Sequence, residues 1–268
     1  MLEKLRFPAR TAGFVGITFG MYGLLEIDTA ASQRSDRESV LQKWIERYGK
    51  ALLRLYGVRV VARGPHVEHG ARYPGTSPSG KGRMFIMNHR SGLDVPITLA
   101  FVEATILSRS DLASWPVIGV AARRVGTLFV DRTDRSSGTA VISTMTEALE
   151  RGKGIMVYPE GTTYEGDEVR PFRAGAFKAA AQAGAEIVPV GLAYEGEAMT
   201  FGDESFAKHM VRVSMAKSVR AAIEVGEPIA PSAKDVNDLI AESHQAMQAL
   251  VYKARASLRG SSPEGAAG

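Results

Sequence analysis

The sequence predicts an α/β fold: a mostly parallel sheet covered by helices, preceded by an N-terminal membrane-associated helical pair. Three observations carry that prediction. From residue 84 onward, short apolar runs alternate with stretches of helical spacing, the pattern of parallel strands buried on both faces. Polar turns containing His, Asp, Glu, Arg and Gly follow those runs, which places reactive side chains along one edge of the sheet. The first 56 residues differ, being an apolar segment followed by a basic amphipathic one.

At 268 residues and 45% hydrophobic content, the chain can bury a full core. The expected division is a helical pair at 1–56, an α/β domain at 57–259 and a small polar tail at 260–268, expected to be disordered. The absence of Cys excludes disulfides, thiolate metal sites and a cysteine nucleophile. His66 and His69 have ligand-like spacing but lie in a polar loop without a carboxylate cluster, so no metal site is expected. The net charge of +4 points to an acidic surface or an anionic substrate.

Lys4, Arg6 and Arg10 precede the apolar run Ala12–Leu25, which Glu26 and Asp28 close. That run is shorter than the ~20 residues needed to cross a bilayer core of ~30 Å, and no small-residue cleavage site marks it as a signal peptide. It suits a segment lying in the membrane interface with its basic start among headgroups. A buried core helix fits the run equally well. Between residues 36 and 56, Leu41, Trp44, Ile45, Tyr48, Leu52 and Leu55 share a helical face. Residues 36–63 carry seven cations against three acids, an excess equal to the net charge of the whole chain. A basic amphipathic helix with Trp and Tyr beside its apolar face reads as a membrane-surface element.

Strands are expected at Tyr56–Ala62, Met84–Met87, Thr105–Leu107, Thr127–Val130, Ile155–Tyr158 and Ile187–Ala193. Helices are expected at Val95–Val102, Pro116–Arg124, Ser136–Arg151 and Phe172–Ala183. Beyond Glu195 the pattern suggests strands at His209–Met215 and Ala221–Val225, then a closing helix at Ala233–Leu258. Gly75–Gly82 nearly spells a phosphate-binding loop, but Gly82 replaces the Ser or Thr that would hold magnesium, and a strand follows where a helix belongs.

The chemistry concentrates in Asn88-His89-Arg90-Ser91-Gly92-Leu93-Asp94, directly after an apolar run. A histidine and a carboxylate five residues apart across a turn form a general base with its orienter, the Asp fixing the tautomer and stabilising the imidazolium. Gly126–Arg132 and Tyr158–Thr163 end other strands with charged residues, so His89, Arg132 and Glu160 are expected to converge on one cleft. Arginine supplies a forked donor suited to phosphate.

Four ordered blocks, Asn88-His89 with Asp94, Gly126 to Arg132, Tyr158 to Thr162, and Val188 to Val190, resemble the glycerolipid acyltransferase family typified by 1-acylglycerol-3-phosphate acyltransferases. Phe172–Phe177 is similar to the segment that follows the third block there. The resemblance implies membrane-associated acyl transfer from an acyl thioester, of coenzyme A or acyl carrier protein, to the free hydroxyl of 1-acylglycerol 3-phosphate, giving phosphatidic acid, with no cofactor. It assigns His89 as general base, Asp94 as its orienter, and Arg132, Glu160, Gly161 and Thr162 to substrate binding. Backbone N–H groups around Arg90–Gly92 are candidates for the oxyanion hole. The expected partners are the lipid bilayer, the lysolipid and the acyl donor, without nucleic acid, at the cytoplasmic face of the inner or plasma membrane. Thr163 stands where the family has Arg, with Arg170 or Arg173 as replacements, and Arg109-Ser110-Asp111-Leu112 departs from a Lys and Glu-Leu pattern. The Pro159-Glu160-Gly161-Thr162-Thr163 form, with Gly166 and Asp167 after it, resembles branches acting on other lysolipids, including lyso-ornithine lipids. A serine hydrolase finds no Gly-x-Ser-x-Gly elbow, and a silent membrane-surface binder would not retain both His89 and Asp94.

Overall fold

The computed structural model describes residues 2–130, 135–196, 199–231 and 235–260. Two helices lead the chain, α1 (Leu2–Ala31) and α2 (Arg37–Tyr56). The apolar run 12–25 is the middle of α1, a helix of 30 residues. Only part of its surface is covered: Thr18 and Leu25 are buried, whereas Phe19, Leu24 and Ile27 face outward. Polar contacts fix the pair, with Thr18 Oγ1 and Tyr48 OH 2.9 Å apart and Trp44 Nε1 donating to Asp28 Oδ2 at 2.8 Å. Among the described residues, no helix is long and apolar enough to cross a membrane.

The strands are β1 (Val58–Arg63), β2 (Met84–Met87), β3 (Thr105–Arg109), β4 (Leu128–Val130), β5 (Ile155–Val157), β6 (Ile187–Tyr194) and β7 (Val219–Val225). Between and after them come α3 (Asp94–Phe101), α4 (Ile118–Arg124), α5 (Arg135–Glu150), α6 (Gly175–Ala183), α7 (Phe206–Met215) and α8 (Val236–Gly260). The sheet order is β1-β7-β6-β2-β5-β3-β4. From β6 to β4 the strands run parallel, as the alternation predicts. β7 pairs antiparallel with β6, and β1 runs parallel to β7, so the sheet is mixed at one edge.

Strand alternation splits the core in two. Phe85 and Met87 face a layer holding Ile45 and Leu53 of α2, Ile97 of α3 and Val213 of α7. Met84 and Ile86 face Met145 and Leu149 of α5, Phe177 of α6 and Val251 of α8. The result is a sheet covered on both faces, which explains why its central strands read as unbroken apolar runs.

One expected strand is corrected. Residues 209–215 belong to α7, whose start is capped by Ser205 Oγ accepting from the Lys208 N–H at 3.3 Å. Val211, Val213 and Met215 mimic a period of two, but Phe206, His209, Met210 and Val213 recur at helical spacing and form the inward face. The expected tail at 260–268 lies outside the described residues beyond Gly260, the last residue of α8.

The helical pair is pressed directly onto the sheet layer. At Gly49 of α2, an added Cβ would stand 2.7 Å from the Ala100 backbone nitrogen and 2.9 Å from the Leu99 carbonyl carbon of α3. Backbone cannot yield as a flexible side chain does, so overpacking here is expected to cost about 1–3 kcal/mol. Gly49→Val should lower the unfolding free energy by that amount, read as a lower urea midpoint at unchanged m-value.

Candidate active site

β2 and β5 are neighbours in register, with Ile86 opposite Val157, so Asn88-His89 and Tyr158–Glu160 leave the sheet side by side. Asn88 extends the pairing on the other flank. Its Nδ2 donates to the Leu192 carbonyl, and its Oδ1 accepts from the Leu192 N–H, both at 2.8 Å.

His89 and Asp94 meet as the sequence expects, with Nδ1 2.6 Å from Oδ2. Asp94, the first residue of α3, is fully buried. A carboxylate stripped of water needs compensating donors. Oδ2 accepts from the Arg90 and Ser91 N–H groups at 2.7 and 3.0 Å, and Oδ1 from Tyr194 OH at 2.7 Å. The helix dipole of α3 adds partial positive charge at its N-terminus. Burial, and then the charge of Asp94, push the Tyr194 hydroxyl well above the ordinary tyrosine range, so it remains a donor.

The carboxylate acceptor assigns the proton of neutral His89 to Nδ1. Nothing among the described residues bonds its Nε2, and 23% of the side chain is exposed, so the basic nitrogen is the accessible one. The ring stacks on Tyr158, with centroids 4.2 Å apart and planes 21° apart. Tyr158 is fixed in turn by its hydroxyl, 3.1 Å from Thr98 Oγ1.

Glu160 arrives beside His89 but is turned inward. Its carboxylate is buried and accepts from Arg90 Nη1 at 2.8 and 3.1 Å, from the His89 N–H at 2.9 Å and from the Arg170 N–H at 2.9 Å. Arg90, equally buried, also donates to the carbonyls of His89, Gly166 and Glu168, each at 2.9 Å. The pair clamps the two strand exits together. Gly161 and Thr162 continue the turn, Thr162 being exposed. Arg173 lies across it, its Nε 2.3 Å from where a Cβ on Gly161 would stand. A cation therefore sits on the turn despite Thr163. Arg132 lies outside the described residues.

The amides of Arg90–Gly92 are engaged within the protein and are not the oxyanion hole expected from the sequence. Arg90 and Ser91 donate to Asp94, and Gly92 donates to His209 Nε2 at 3.1 Å. The sequence motifs give no role to the side chains of Arg90, Tyr158, Tyr194 and His209. Tyr194 carried a signal, a lone hydroxyl closing the apolar run of β6, which a buried chain must satisfy with a partner.

Residues 71–193 match the family model described as Acyltransferase. The lyso-ornithine lipid O-acyltransferase of Pseudomonas aeruginosa is 27% identical over 260 residues, covering 94% of each chain. The 1-acyl-sn-glycerol-3-phosphate acyltransferase of Neisseria gonorrhoeae is 32% identical over 116 residues, covering 43% of this chain and 46% of that one. The solved structure of PlsC from Thermotoga maritima, a 1-acyl-sn-glycerophosphate acyltransferase, shares the fold, with a TM-score of 0.72 at 20% identity over 95% of this chain and 98% of that one.

Two substitutions grade the buried network. Tyr194→Phe removes one hydrogen bond to a buried charge and should cost about 1.5–3 kcal/mol of stability. Glu160→Ala strands the Arg90 guanidinium and should cost more, about 3–5 kcal/mol. Chemical denaturation of both variants checks the order.

Proposed function

We propose that this chain, whose residues 71–193 match the Acyltransferase family model, belongs to the glycerolipid acyltransferase family and moves a fatty acyl group from a thioester to the free hydroxyl of 1-acylglycerol 3-phosphate, giving phosphatidic acid. The supporting observation is the His89–Asp94 pair at 2.6 Å with Nε2 left accessible.

In this reading the lysolipid hydroxyl donates its proton to Nε2 of His89 as its oxygen attacks the thioester carbonyl. The C–S bond then breaks, and the imidazolium returns the proton to the departing thiolate. Asp94 holds the tautomer and offsets the imidazolium charge. No acyl-enzyme forms, and the base contributes roughly 10²–10⁴ in rate. Arg132, by its place in the second block, is assigned to the acceptor phosphate, with Gly161, Thr162 and Arg173 on the neighbouring turn. Glu160 shapes that turn from beneath through Arg90. The donor is acyl-coenzyme A or acyl carrier protein, and no cofactor enters.

A second acceptor, lyso-ornithine lipid, is favoured by one observation: the relative that matches along 94% of both chains carries that activity in its name. Thr163 in place of Arg points the same way. Either acceptor is reached from a bilayer, for which α1 offers exposed Leu5, Phe7, Phe19, Leu24 and Ile27, beside the cations of α2. We assign the protein to the cytoplasmic face of the inner or plasma membrane on this basis.

His89→Ala should abolish turnover while still folding, with a stability loss comparable to that of Tyr194→Phe, about 1.5–3 kcal/mol, because it too removes a donor to the buried Asp94 carboxylate. Purified protein, given one acyl-coenzyme A and either lysolipid, separates the acceptors by product, and retention of activity by His89→Ala would sink the mechanism. Placing Glu at both 19 and 24 should weaken sedimentation with anionic vesicles by about tenfold or more, since each site contributes roughly 1.5–3 kcal/mol of apolar burial.

A further inference from the structure

The loop from His89 to Asp94 has all its amides occupied. Those of Arg90 and Ser91 go to Asp94, that of Leu93 to Ser91 Oγ and that of Asp94 to the Ser91 carbonyl. Two are held from outside the loop: His89 by Glu160, and Gly92 by His209.

His209 is fully buried on α7. Its Nε2 is 3.1 Å from the Gly92 nitrogen and 3.1 Å from Ser91 Oγ. An amide N–H only donates, so Nε2 is the unprotonated nitrogen and the ring proton resides on Nδ1. Nδ1 faces Glu204 Oε1 at 3.3 Å, from the segment before α7. Arg212 Nη2, which only donates, lies 3.1 Å from the same nitrogen and makes no hydrogen bond to it in this tautomer; it bonds Glu204 and the Thr200 carbonyl instead. Burial first, and then the Arg212 charge, hold the imidazole below the ordinary histidine value, against the opposing pull of Glu204 and Asp94. The neutral ring is therefore the resident form at neutral pH.

The fit around this contact is close. A Cβ on Gly92 would stand 2.8 Å from Met210 Sδ and 3.2 Å from Phe206 Cε2, and Phe201 covers the imidazole with centroids 4.8 Å apart. The Phe201 N–H also donates to the Arg90 carbonyl at 2.6 Å.

We propose that His209 is a positioning residue for acyl transfer: its Nε2 holds the Ser91–Gly92 peptide, and that peptide sets where Asp94, and with it His89, stands. The kinetic part of this inference rests on the function proposed above.

His209→Met and His209→Gln have similar volume, but only Gln keeps an acceptor where Nε2 was. In the full-length protein, His209→Met should lower kcat about tenfold or more with both KM values within about twofold, and His209→Gln should recover most of it. Amide hydrogen exchange at Gly92 should be slow in wild type and His209→Gln and fast in His209→Met, an observable independent of turnover. Wild-type kcat in His209→Met, or equal losses in both variants, overturns the proposal. Rapid exchange at Gly92 in wild type overturns it even if neither variant folds. An inactive wild type that protects Gly92 would instead count against the acyl-transfer reading alone.

Discussion

A single buried carboxylate organises this molecule. Asp94 has no contact with solvent, and an ionised group in that position persists only where its lone pairs are filled. The donors come from two separate parts of the chain: the loop before it, through the His89 imidazole and the Arg90 and Ser91 amides, and Tyr194 at the far end of β6. Satisfying one charge therefore fixes a loop, the start of α3 and the exit of a strand at once. The same demand gives His89 its tautomer, so stability and reactivity share one cause.

Around that centre the fold repeats the device at lower stakes. Arg90 and Glu160 neutralise each other between the exits of β2 and β5 and consume carbonyls and amides that the turns leave unpaired. Asn88 imitates a strand rung toward β6. Each polar side chain converts an exposed backbone end into a fixed one, which is how short loops hold a histidine steady while leaving one of its nitrogens accessible.

Local patterns carried much of this architecture into view. Apolar runs such as Met84–Met87 and Ile187–Ala193 announce buried strands, and the spacing of His89 and Asp94 announces their contact. What stayed hidden depends on separation along the chain. Tyr194 lies 100 residues from Asp94, and His209 lies 118 from Ser91, so neither pairing leaves a periodic trace. Glu160 was visible as a charged residue at a strand exit, but whether it faces substrate or protein is set by Arg90, which sequence spacing does not orient. Residues 209–215 misled because alternate β-branched residues fit a strand until packing against the 89–94 loop selects the helix.

The close seat of α2 on α3 has a consequence for how such a protein diversifies. With Gly49 pressed against the backbone of residues 99 and 100, the leading helices are part of the foundation under the helix that begins with Asp94. They are not an interchangeable anchor: grafting a different tether ahead of residue 57 would withdraw the support beneath the carboxylate. The outward surface of the pair can change without touching that support, whereas its inner face cannot.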